Sequence, residues 1–180
     1  MMKRLVTIFG FLCLAATPAF AAGGGDTPYA GQDRRAIKAL SAADVEDLLA
    51  GRGWGFAKPA ELNGYPGPAH LLEFRDRLGL SDSQVAGIRA LFDDMQRNAV
   101  TLGAEYVAAE RALDNAFADR TVAPDILAAH VRRAAELMGR LRLVHLETHL
   151  RTLPLLSQHQ IVTYRRLRGY DNPGAGRHHH

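Results

Sequence analysis

Between Val85 and Phe117 the apolar residues Val85, Ile88, Phe92, Met95, Ala99, Leu102, Tyr106, Ala109, Leu113 and Phe117 recur at alternating spacings of three and four. Only a helical backbone brings that period onto one face, so the segment predicts a single helix of about ten turns. The pattern breaks at "RTVAP", where Pro124 can stand only in the first turn of whatever follows. A second helical stripe then runs through Leu127, Val131, Ala134, Leu137, Met138, Leu141 and Val144, and Pro154 closes it. No stretch alternates with period two for long enough to make a strand. Two long helices joined by a short turn bury their stripes against each other, so the expected fold is all-α, a long antiparallel helical hairpin with short flanking helices.

Upstream, Ser41 is placed to cap a short helix with Val45, Leu48 and Leu49 on one face, ending at Gly51. The stretch "GRGWGFAKPAELNGYPGP" reads as a loop tied down by Trp54, Phe56 and Tyr65. Its glycines do not form G-x-G-x-x-G after a strand, which excludes a dinucleotide fingerprint. Pro68 suits the first position of a helix running to about Leu78. At the amino end, Lys3 and Arg4 precede an apolar run, and Ala19-Phe20-Ala21 supplies an A-x-A cleavage site, the layout of a secretory signal. The alternative is an uncleaved signal that anchors the chain in the inner membrane. The only cysteine, Cys13, lies inside the leader, so the expected mature chain has no thiolate chemistry and no disulfide framework. The expected organisation is a signal peptide over 1–21, a flexible lead, short helix and loop over 22–66, a helical domain over 67–170, and a disordered tail over 171–180. His178 to His180 in that tail are either a native metal-catching end or a purification tag.

The formal charge of +3 falls by the two units of Lys3 and Arg4 once the leader is removed, too little to argue for nucleic acid. Charge is nonetheless segregated. Ser81 to Asp119 carries seven acids against three arginines, whereas Ile126 to Arg151 carries five arginines against two acids, which predicts complementary helices lying side by side. No nucleophile with an adjacent base, phosphate loop or pair of buried carboxylates can be read from the chain, so an enzyme is not expected.

Leu80-Ser81-Asp82-Ser83-Gln84 and Leu156-Ser157-Gln158-His159-Gln160 repeat one device, each just ahead of a helical pattern. The serine caps free N–H groups of the first turn, the glutamine three residues on reaches back to the cap, and Leu80 and Leu156 supply hydrophobic staples. Leu40-Ser41-Ala42-Ala43-Asp44 is a weaker third copy. With one box opening the first long helix and another opening the last helix of an exported all-helical chain, the sequence resembles the LTxxQ family of periplasmic proteins, over about Pro68 to Tyr170. Ser81 and Ser157 stand where threonine is usual, a change that keeps the cap. The resemblance implies a thin, curved, elongated homodimer in the periplasm. Spy/CpxP-like members bind unfolding proteins without ATP or restrain an envelope-stress sensor kinase, and ZraP/CnrX-like members bind heavy metals through His, Glu, Asp and Met.

His145 and His149, at i and i+4, face the same way and can share one ion. Glu147 of H-L-E-T-H points elsewhere, so the string is not the H-E-x-x-H of zinc proteases. If the hairpin turns near Thr121 and Val122, His149 comes opposite Asp94 and His145 opposite Asn98, with Asp93 and Met95 within a turn and Gly103 opposite Gly139 or Arg140. His70 and Glu73 are a second source of ligands, and the set suits zinc, nickel, cobalt or copper. The opposing reading makes the two histidines polar flanks of a packed helix, paired with Asp93 or Asp94. His130 is read as structural. On the chaperone reading no cofactor is required, and Arg132, Arg133, Arg140, Arg142, Arg165, Arg166 and Arg168 form a basic client-facing surface beside exposed Leu and Met. The expected partners are a second copy, unfolded periplasmic proteins or a membrane sensor kinase, with no nucleic acid and no stable membrane insertion after signal cleavage. The leading expectation is a holdase or envelope-stress modulator. A metal sensor or metal-binding resistance protein is the alternative, and a purely regulatory dimer the third.

Overall fold

Ser81 caps the first long helix and Ser157 the last, short one, as their boxes predict. The computed structural model describes residues 28–170, so the signal-peptide, early-lead and His-tail expectations fall outside the described residues. Six α-helices are described: α1 (Ala42–Leu49), α2 (Lys58–Leu62), α3 (Pro68–Glu73), α4 (Asp82–Ala118), α5 (Pro124–Thr152) and α6 (Gln158–Leu167). No strand occurs among the described residues, and none of their helices is long and apolar enough to cross a membrane. α4 and α5 are the predicted hairpin. Pro124 occupies the first turn of α5, and Pro154 sits in a 3-10 turn, Leu153–Leu155, that leads to α6.

Of the predicted stripe, the arms bury Ile88, Met95, Ala99, Leu102 and Tyr106 of α4 and Ala134, Leu137 and Leu141 of α5, and half-bury Val85, Phe92, Ala109, Leu113, Leu127 and Val144. Phe117, Val131 and Met138 depart from it, being 55%, 50% and 38% exposed, because the stripe is wider than one antiparallel partner covers. Three readings of the amino-terminal segment need correcting. α1 buries Leu48 but leaves Leu49 exposed. The helix from Pro68 ends at Glu73, and turns carry the chain from Phe74 to Gly79. Within the loop, Pro59 sits in the first turn of α2, a helix the sequence reading missed.

From Gly31 to Tyr170 the chain belongs to one compact unit. Ile37, Leu40 and Leu48 join Phe56, Leu102, Tyr106 and Leu137 in one core. The crossing is close. A Cβ at Gly103 would overlap the Leu48 carbonyl, so this glycine admits α1 against α4; Gly139, proposed opposite it, has open space around it. At the other end, Leu71, Leu78, Ile88 and Tyr164 form a second cluster, with Leu80 and Leu156 packed against it.

The boxes also bond to each other. Ser81 Oγ accepts from the Gln84 N–H at 3.2 Å and Ser157 Oγ from the Gln160 N–H at 3.2 Å, while each glutamine Oε1 accepts from its cap N–H at 2.9 Å. Gln84 Nε2 then donates to Gln160 Oε1 at 2.9 Å, and Gln160 Nε2 donates to Gln84 Oε1 at 3.0 Å. The remaining N–H groups reach the carbonyls of Leu155 and Gly79. Two helix starts are thereby tied at one point, with the amide hydrogen-bonding capacity filled.

Candidate functional site

On the buried face of α5, apolar residues give way toward the carboxyl end to His145, Thr148, His149 and Thr152. Buried polar groups need partners, and three of these four have one. Thr148 and Thr152 donate back to the carbonyls of Val144 and Thr148. His149 Nδ1 donates to the Tyr65 carbonyl at 2.7 Å, and Glu61 Oε2 lies 3.9 Å from the same nitrogen. The other edge of the ring meets backbone: a Cβ at Gly67 would come 2.8 Å from His149 Cε1 and 2.9 Å from Nε2, so only glycine fits there.

His145 is the exception. It is 3% exposed, its ring stacks on Phe56 at 5.7 Å, and its Nε2 is buried without a hydrogen-bond partner. Burial, with a smaller push from His149, brings its pKa down to about 4, so the imidazole is neutral at physiological pH.

Both histidines line a cavity of about 730 Å³ between the hairpin and the chain from Gly51 to His70. Leu62, Pro68, Phe92 and Met95 give it an apolar lining, joined by Trp54, Ala69 and His70. Glu61, on α2, also lines it, beside His149. Its Oε1 accepts from the hydroxyls of Tyr164 at 2.5 Å and Tyr170 at 2.9 Å and from Arg168 Nε at 3.2 Å, and its Oε2 accepts from the Gly67 N–H at 3.2 Å. Burial pushes the Glu61 carboxyl up, but these donors and the Arg168 charge together hold it below its ordinary value. Trp54, held at a φ of 40°, donates from Nε1 to Asp44 at 2.8 Å and packs on Phe56 at 5.4 Å. Trp54 and Phe56 thus tie the segment down as the sequence predicts, whereas Tyr65 contributes its carbonyl to His149.

The predicted metal ligands are only partly assembled. His145, His149, Met95 and His70 all line the cavity. Asp94 does not join them: it lies at the right level of the hairpin but on another face, where it pairs with Arg97 at 3.4 Å and Arg151 at 3.6 Å. Glu73 turns outward and, among the described residues, pairs with His70 Nδ1 at 3.1 Å. The register estimate gave the height along α4 and not the azimuth. Among the described residues no three His, Cys, Asp or Glu side chains are grouped to hold an ion. The remaining donors are three imidazoles and a thioether, with His149 covered by Gly67 and His70 paired with Glu73.

The arginines divide as well. Arg168 is half-buried on Glu61, and Arg133 pairs with Glu105 at 2.7 Å and Glu136 at 3.7 Å, so both have structural partners. Arg132, Arg140, Arg142 and Arg166 are exposed and form no ion pair among the described residues. Arg165 lies beside Gly64. Sequence reasoning missed Glu61, Phe56 as the partner of His145, and Gly67; the proline opening α2 was the one signal for the first. Comparison with protein-family models, with curated proteins and with solved structures gives no match.

Proposed function

We propose that the chain is an exported, LTxxQ-type stress protein that holds unfolding polypeptides without ATP. The supporting observation is the outer surface of α5. Val131, Met138, Leu143 and Leu150 are exposed there, interspersed with the unpaired Arg132, Arg140 and Arg142. Exposed apolar groups take up side chains released by an unfolding client. Guanidinium groups add planar, weakly hydrated contacts to carboxylates and aromatic rings. Neither contact demands a fixed partner shape, which suits loose binding of many sequences. The two bonded boxes give further support to the family resemblance, since they supply a reason for the motif to occur twice. A membrane sensor kinase would be engaged through the same surface, and the working unit would be a homodimer.

The test is fluorescence anisotropy of a labelled, permanently unfolded client with no nucleotide present. Binding that weakens roughly tenfold in the triple variant Arg132→Gln, Arg140→Gln, Arg142→Gln, and weakens with added salt, is the expected result. Absence of binding, or binding indifferent to both changes, contradicts the reading.

A further inference from the structure

We infer that the cavity under the Gly51–His70 segment is a binding site for an uncharged, largely apolar small molecule carrying one hydroxyl group, such as an alkylphenol. Three observations converge on this. At about 730 Å³ the cavity falls within the roughly 300–1,000 Å³ usual for small-ligand sites, which are mainly apolar with a few placed polar groups. Leu62, Pro68, Phe92 and Met95 supply such a wall. His145, almost wholly buried, is one of the lining residues, and its Nε2 has no hydrogen-bond partner in the protein.

An unpaired buried nitrogen is costly, and a water there would find few second partners among those apolar neighbours. A ligand hydroxyl answers both tautomers of His145, because it can donate to a bare Nε2 or accept from a protonated one. The neutral imidazole offers a carboxylate no charge, and Glu61 and Arg168 already neutralise each other. This inference is independent of the client-binding reading.

Trp54 is the only tryptophan of the chain and lines the cavity, so its indole N–H resonance reports occupancy. The full chain is titrated with 4-ethylphenol, ethylbenzene and 4-ethylbenzoate while that resonance is followed by nitrogen-15 NMR. The expected result is saturable binding of all but the benzoate, with the phenol about tenfold tighter than the hydrocarbon. His145→Phe abolishes that preference and His145→Gln, which keeps a hydrogen-bonding side chain, retains it. Ala69→Phe, at an exposed edge of the cavity, weakens both ligands without touching the core. No saturable shift, equal affinity for phenol and hydrocarbon, tighter binding of the benzoate, or a preference that survives His145→Phe would each overturn the inference.

Discussion

His145 carries a stability cost that depends on pH. Its folded pKa of about 4 lies below the ordinary 6.5, so below pH 6.5 the unfolded chain binds a proton that the folded chain refuses. Stability is therefore full above pH 6.5 and falls as pH drops toward 4, by an amount on the order of 3 kcal/mol. Glu61, held below its ordinary value, adds its own loss at the acid end of that range. Urea midpoints measured from pH 7 to 5 should decline in the parent chain and stay flat in His145→Phe; equal slopes would contradict the assignment. Gly103→Ala forces a Cβ onto the Leu48 carbonyl and should lower unfolding free energy by about 1–3 kcal/mol, while Gly139→Ala, in open space, should be neutral or stabilising. The i, i+4 spacing of His145 and His149 was legible in the sequence, as was their shared face. That Asp94 turns toward Arg151 and Glu61 turns inward was not, because azimuth depends on how far one arm rotates against the other.

Among the elements, the boxes were the most readable feature. Ser41, Ser81 and Ser157 each accept from the N–H three residues on, and Asp44, Gln84 and Gln160 each return a bond to the cap. In the weaker copy, hydrogen bonds from Ser41 and then Trp54 hold the Asp44 carboxyl below its usual range. Local sequence contains all of this, since a box closes within four residues. The Gln84–Gln160 pair is not local, and it gives the glutamines a task the cap alone does not require. Gln84→Ala or Gln160→Ala should each cost about 2 kcal/mol, by losing a cap bond and leaving the partner amide unsatisfied. The double variant should cost clearly less than the sum, with a coupling of about 1 kcal/mol in a denaturation cycle; strict additivity would mean that the pair contributes nothing beyond two caps. The short helices α2 and α3 were harder to read, because five or six residues make too few turns to show a period.

For the whole molecule, the hairpin followed from one apolar period and two prolines, and the charge segregation predicted contacts that do occur: Glu105 with Arg133, and Asp94 with Arg151, across the arms. Those pairs use only part of the basic charge of α5. What was not legible is how completely the segment before the hairpin joins the core, since Ile37, Leu40 and Phe56 lie in a stretch without helical period. The remaining exposed apolar and arginine side chains of α5 carry the functional proposal, and it is tested most directly by light scattering of an unfolding client mixed with the purified chain without nucleotide. The account predicts that a several-fold molar excess suppresses aggregation, and that Val131→Ser, Met138→Ser and Leu143→Ser together remove most of the effect while leaving the helical signal intact. No suppression by the parent chain, or full suppression by the folded triple variant, would contradict it.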